Sequence, residues 1–224
     1  MSGTRAKLLE AAAQAVCEDG VAAASARAIA ARAQVNQALV FYHFGTVSQL
    51  LEAASRRRVD DSVAYYRDRF ATVRTLSELL AVGRDLHKRE RVAGNVALMA
   101  QLMSGGQHDP VLARAARYAM TTWTAEVEAV VARVLAGSPL ADVTNVAGLA
   151  QAITAGFIGL ELFEGVDPDA AASALDALEP RCVLVEVVND LGAVGRRAMR
   201  AKMRTRRGPA QGDRTRSEDS GGER

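Results

Sequence analysis

Three consecutive residues, Asn36, Gln37 and Ala38, open an apolar helical pattern and carry side chains suited to reading bases. An amide side chain pairs bidentately with adenine, and a small alanine touches a thymine methyl. Around them stand Ser25, Arg27, Tyr42, His43 and Thr46. Their hydroxyls, imidazole and guanidinium suit phosphate oxygens, contacts that fix position rather than read sequence. Other chemistries find no footing. There is no GxSxG, P-loop or HExxH, so no catalytic constellation is expected. His43, His87 and His108 have no second His or Cys at ligand spacing, so no metal and no cofactor is expected. Cys17 and Cys182 are isolated and give no disulfide framework.

A short helix–turn–helix must hold the triplet. Ser25 is an N-cap, its hydroxyl placed to accept a free amide of the first turn. Residues 26–33 are mostly alanine, the strongest helix former, with Ile29 and Ala33 on one face. Gln34-Val35-Asn36 interrupts the pattern. Val35 is expected to plug the angle between the helices and Asn36 to cap the second. Leu39, Val40 and Phe44 face inward, leaving Gln37, Tyr42 and His43 outside. The second helix of such a unit fits the major groove. A first helix over 4–18, with Leu9, Ala13 and Val16 inward, ends at Gly20. A long helix over 47–70 follows, starting at Gly45 or Thr46, and its N-terminus is a seat for a phosphate.

With the helix before it, this stretch resembles the DNA-binding domain of TetR-family transcriptional regulators. The likeness rests on Arg27-Ala28-Ile29-Ala30, on Phe41-Tyr42-His43-Phe44, and on Leu50-Leu51 opening the next helix. It covers the first quarter of the chain and departs from the family twice. Phe41 stands where the family usually has a tyrosine, and Val47 where it usually has a lysine. The resemblance implies that both changes remove phosphate contacts and spare the base-reading face.

The rest of the 224 residues, 49% hydrophobic and 24% charged, suits an all-α globular protein. Net charge is +2 but unevenly placed. Residues 196–224 hold ten basic against four acidic side chains, a net +6, whereas residues 1–195 carry a net −4. The head has only a local basic footprint: Arg5, Lys7, Arg27, Arg32 and the run Arg56-Arg57-Arg58, which either reaches DNA or is a solvated face. Helices are expected over 77–90, 91–103, 111–135, 145–163 and 169–178, and a last one starts at Pro180 and runs to about 203. The run 182–188, CVLVEVV, has strand propensity, but no partner strand exists, so helix is preferred. Residues from 204 on have no apolar pattern and read as a disordered basic tail.

Two constellations lie in the second part. The helix 145–163, nearly apolar all round, should be buried on most sides. Its Gly148, Ala152, Gly156 and Gly159 form a smooth stripe that serves either intrachain packing or a two-fold seam. The resemblance implies the seam, with the helix from 180, including Leu184 and Val188, as partner. Met99, Leu102, Met103, Tyr118, Met120, Trp123 and Phe157 are either ordinary core or the lining of an apolar pocket, and the resemblance implies an effector pocket. Glu161 and Glu164 share a face, where the helix emerges to solvent or meets a ligand's polar group. His87, in a charged run, reads as exposed.

The sequence therefore implies a three-helix head over residues 1–50, a helical effector-binding and dimerisation domain over 51–203, and a tail over 204–224. The expected protein is a cytoplasmic, homodimeric repressor that binds a palindromic double-stranded operator and answers an unknown small-molecule effector. It needs no cofactor and no membrane. The alternative is a helical interaction protein with a degenerate head and a non-specific polybasic tail.

Overall fold

The computed structural model describes residues 2–138, 140–141, 144–190, 195 and 197–198. The expected tail over 204–224 and the end of the last helix lie outside these residues. Nine helices and no strand are found among the described residues: α1 (Ser2–Asp19), α2 (Ala26–Arg32), α3 (Ala38–Phe44), α4 (Val47–Thr72), α5 (Leu76–Val92), α6 (Asn95–Gly105), α7 (Pro110–Leu135), α8 (Val146–Glu164) and α9 (Pro168–Asn189). Run 182–188 is helical within α9, as context over propensity requires.

Local chemistry sets most boundaries. Ser25, Thr46, Thr75, Asp109 and Asn145 each sit at an N-cap and accept a first-turn backbone N–H. Each such cap contributes about 1 kcal/mol. Glu78 completes a capping box with Thr75. The break between α5 and α6 falls later than the pattern suggested. Gly94 adopts φ +76, and a Cβ there would stand 3.0 Å from Cys17 Sγ. Only a glycine turns the chain so close to α1, so α5 runs on to Val92 and α6 begins at Asn95.

Two apolar clusters hold the helices together. The first joins α1, α2, α3 and the start of α4 around Leu8, Val16, Ile29, Val40 and Leu50, each fully buried. Burying each such side chain is worth roughly 1.5–3 kcal/mol. This cluster does not stop at the head, because Leu98 and Leu102 of α6 and Leu112 and Ala115 of α7 belong to it. The second cluster gathers Tyr66 and Phe70 of α4, Val82 and Leu86 of α5, Val130 and Val131 of α7, and Ala150 of α8. Helices α4 and α7 make the most extensive helix–helix contact and run through both clusters.

Two sequence expectations fail here. Helix α8 is not buried on most sides: Ala150, Thr154 and Ile158 are its buried residues, and its other faces are open or half-open. Apolarity all round does not fix burial within one chain. Nor does Pro180 start a new helix; it lies inside α9. Proline forfeits one backbone bond in a helix interior. Contacts on both sides of it clamp α9 to α5: Arg84 pairs with Asp176 and Glu179 at 3.2 and 3.3 Å, and Ser77 N donates to Glu186 Oε1 at 3.0 Å.

Candidate DNA-reading face and ligand cavity

Helix α3 presents one face outward. Gln37, Ala38, Phe41 and Tyr42 are exposed, with Tyr42 at 76% and Phe41 at 49%. Val40 is buried beneath them, and Leu39 and Phe44 pack against the head core. The turn before α3 is tight: Gln34 takes a left-handed φ of +56, and half-buried Val35 packs on the core. Asn36 Oδ1 accepts Ala38 N at 2.8 Å, which caps α3 in place of the formal cap residue Gln37. That bond engages one lone pair of the Asn36 oxygen, whereas the Gln37 amide makes no cap bond. His43 is half-buried, wedged edge-on between Tyr42 and Phe44 at centroid distances of 5.0 and 6.2 Å. Ser25 and Thr46 face outward, yet their hydroxyl oxygens serve as caps. Arg27 is exposed on the first turn of α2.

The expected basic footprint is narrower than it reads. Arg32 pairs with Glu18 at 2.5 Å and Asp19 at 3.0 Å. In the arginine run, Arg56 meets Glu52 at 3.0 Å and lies over the Tyr118 ring, and Arg57 faces Asp61 at 3.7 Å. Arg58 donates to Glu10, to Ala93 O and to Asn95 Oδ1. Arg5 lies over the Phe44 ring, 5.2 Å from its centroid. Val47 is half-buried against the head core rather than turned freely outward.

Below the head, α4–α9 line a half-open cavity of about 710 Å³. Its walls are mostly leucine, valine, isoleucine and phenylalanine side chains. Of the seven residues proposed from sequence, Met99, Leu102, Trp123 and Phe157 line it. The other three lie elsewhere. Met103 packs on the head core, and the Tyr118 hydroxyl donates to Asp60 at 2.5 Å with Arg56 over its ring. Met120 is half-buried outside the cavity lining. Methionine and aromatic content marks a helix as apolar but does not say which face meets the void.

The cavity's polar groups were legible only in part. Glu161 lines the wall with its side chain 11% exposed, and its oxygen meets His87 Nδ1 at 3.2 Å. His87, expected to be exposed, is itself only 13% exposed. Its Nε2 contacts Glu164, which also binds Arg91. Burial pushes the Glu161 carboxyl above the usual carboxylate range, against the pull of His87. A second group joins the cavity to the head. Ser62 Oγ donates to buried Glu90 at 2.5 Å, Asn95 Nδ2 donates to the other Glu90 oxygen at 2.5 Å, and Arg58 links Asn95 to Glu10 of α1. The signal for this chain lay in buried-looking positions of α4 and α5, but four helices, α1, α4, α5 and α6, must meet before it exists.

The small-residue stripe of α8 lies open. Ala152, Gly156 and Gly159 are exposed, and a Cβ on Gly156 or Gly159 would meet nothing within 4 Å. Gly148 is half-buried beside its own cap residue Asn145. On α9, Val183, Leu184 and Val187 are 47%, 63% and 56% exposed, and the Val188 side chain lies outside the described residues. By length and mean hydropathy α8 alone of the described helices could cross a bilayer.

Residues 8–54 match the family profile of bacterial regulatory proteins of the tetR family. A protein from Rhodococcus sp. described as a TetR-family transcriptional regulator shares the fold with a TM-score of 0.66 and 22% identity, over 85% of this chain and 100% of its own. The fatty acid degradation regulator FadR from Bacillus halodurans gives 0.62 at 15% identity, over 84% and 99%. The multidrug binding protein EbrR, solved with imidazole, gives 0.55 at 24% identity, over 78% and 93%. At these identities the likeness is one of fold. No curated protein matches the chain.

Proposed function

We propose that the chain is a DNA-binding regulator of the TetR family, as the match of its head and its shared fold support, and that it works as a homodimeric repressor. Two heads read a palindromic operator, and a small molecule in the cavity releases them. The observation that carries this reading is the continuity between cavity and head. Leu98 and Leu102 line the cavity and belong to the head core, and Arg58 on the cavity wall is bonded to Glu10 of α1. A ligand that changes the packing of α4 and α6 therefore acts on the seat of α1, and through it on the spacing of the two heads. Such a ligand shifts the population only if it binds the non-operator spacing more tightly.

Gln37, Ala38 and Tyr42 are the proposed reading residues, with Arg27, Ser25, Thr46 and the free Asn36 amine toward the backbone. The open apolar face of α8 and α9, with Gly156, Gly159 and Leu184, is the proposed two-fold seam. A single reading head makes few contacts, and pairing two on one operator multiplies them. EbrR, a structural relative, is a multidrug binding protein, which supports a cavity that takes small molecules.

The test is selection of bound sequences from random duplex DNA, followed by sedimentation of the complex. A palindromic consensus with two protomers per site is expected, with affinity falling steeply as salt rises. Salt-sensitive binding that ignores sequence, or a monomer on an asymmetric site, would overturn the reading in favour of a degenerate head.

A further inference from the structure

The cavity lining contains four charged side chains: Arg58, Glu90, Glu161 and Arg181. Two of them, Arg58 and Glu90, have their needs met. Arg58 is held by Glu10, Ala93 O and Asn95, and Glu90 accepts from Ser62 and Asn95, with Arg89 at 3.4 Å. Arg181, an exposed residue, turns its guanidinium to Ala177 O of its own helix.

Glu161 differs. It is nearly buried, and His87 Nδ1 is the group that meets its carboxylate. The other charges nearest it are carboxylates, Glu90 and Glu164, and both push its proton affinity up, as burial does more strongly. His87 is asked to serve two acids at once, Glu161 through Nδ1 and Glu164 through Nε2. One imidazole ring sets at most one positive charge against these two carboxyl groups. Arg91 answers Glu164 and not Glu161. The α5–α8 end of the cavity is therefore short of positive charge, whereas Leu79, Leu86, Leu102, Trp123 and Phe157 give the wall a large apolar area.

Resting on the ligand-responsive reading above, we propose that the cavity's ligand is a lipophilic cation: an apolar body carrying one ammonium-type group seated against Glu161. The volume suits a drug-sized molecule, since ligand pockets run to roughly 300–1,000 Å³. A buried carboxylate gains most from a cation that arrives without competing water. An anionic head in the same place would face Glu161 and Glu90 together, and Arg58 is already engaged by Glu10.

Trp123 is the only tryptophan in the chain and lines the cavity, so its emission reports occupancy directly. Dodecyltrimethylammonium, dodecanol and dodecanoate, all below micellar concentration, share one apolar body and differ in head charge. The cation should bind at least about tenfold more tightly than dodecanoate, the scale of a charge-assisted contact. Glu161→Gln should bring the cation down to the affinity of dodecanol while leaving dodecanol itself unchanged, which also shows that the variant is folded. Dodecanoate binding as well as the cation, or a cation affinity untouched by Glu161→Gln, would overturn the ligand class and leave the cavity reading standing. Trp123 emission unmoved by all three would overturn both.

Discussion

Single side chains divide the work of the head. Gln37 is exposed at the start of α3 with its amide unengaged, whereas Arg27 sits on the first turn of α2. Gln37→Ala should change which operator bases are preferred, a bidentate contact being worth about 1–3 kcal/mol of discrimination. Arg27→Ala should weaken all sequences alike. Binding of both variants to the selected operator and to its single-base mutants checks this, and an unaltered base profile for Gln37→Ala removes that residue from readout. At Phe41 the ring is half-exposed on the reading face, so Phe41→Tyr adds a hydroxyl without disturbing the core. Affinity should rise with no change in the log–log salt slope, because the added donor is neutral. The matching change at residue 47 is less clean. Val47 packs on the head core, and a lysine there gains a phosphate contact only while its stem still covers that core. Glu161 is the residue with a pH signature. An acid whose folded pKa is raised holds its proton more tightly folded than unfolded. Its stabilising contribution is full at low pH and is lost as pH rises through the folded value. Burial raises that value most, His87 pulls it down, and Glu90 and Glu164 push it up further. Denaturant midpoints of wild type and Glu161→Gln, followed from about pH 4 to 7, should show the wild type losing ground to the variant as pH rises. A constant difference would mean that the carboxyl is not held in a dry site.

Elements carry the coupling. Arg58 of α4 touches α1 through Glu10, the end of α5 through the cap residue Ala93, and the start of α6 through Asn95. A side chain that ties α4 to three other helices reports on their mutual placement better than any pairwise contact. In a double-mutant cycle, Glu10→Ala and Arg58→Met should couple by about 0.5 kcal/mol or more in unfolding free energy. Methionine keeps the apolar stem on the cavity wall, so the cycle isolates the charged contact. Strict additivity would remove this bond from the link between cavity and head. Helix α9 shows the same logic in reverse. Its interior proline is tolerated because Arg84 and the Ser77 amide hold the helix on either side of it.

At the scale of the whole molecule, the open apolar face on α8 and α9 asks for a partner. A Cβ on Gly156 meets nothing within the protomer, so a larger side chain there has room. Gly156→Leu should leave the fold and its thermal midpoint intact yet convert a dimer to monomers, as read by sedimentation. A monomeric wild type, or a variant that remains fully dimeric, sinks the seam. Gly156 also lines the cavity, so ligand binding by the variant is followed beside its sedimentation to separate the two effects.

The sequence by itself determined the head. Ser25, Asn36, Val35 and the inward set Leu39, Val40 and Phe44 act over spans of a few residues, where capping, propensity and helical period are enough to place them. It also determined the all-helical class, including α9 across an ambiguous run. Tertiary structure alone decided which arginines are free, because Arg32 and Arg58 find their acids on α1, many residues away. It decided the cavity as well. Met103 and Tyr118 look like Met99 and Trp123 in composition, yet they face the head and α4 instead of the void. Periodicity says that a residue is on an apolar face, but which face borders an empty space depends on where six helices leave a gap. The His87–Glu161 contact joins α5 to α8 across 74 positions of chain. No local pattern encodes such a pair, and only the packing of the two helices creates it.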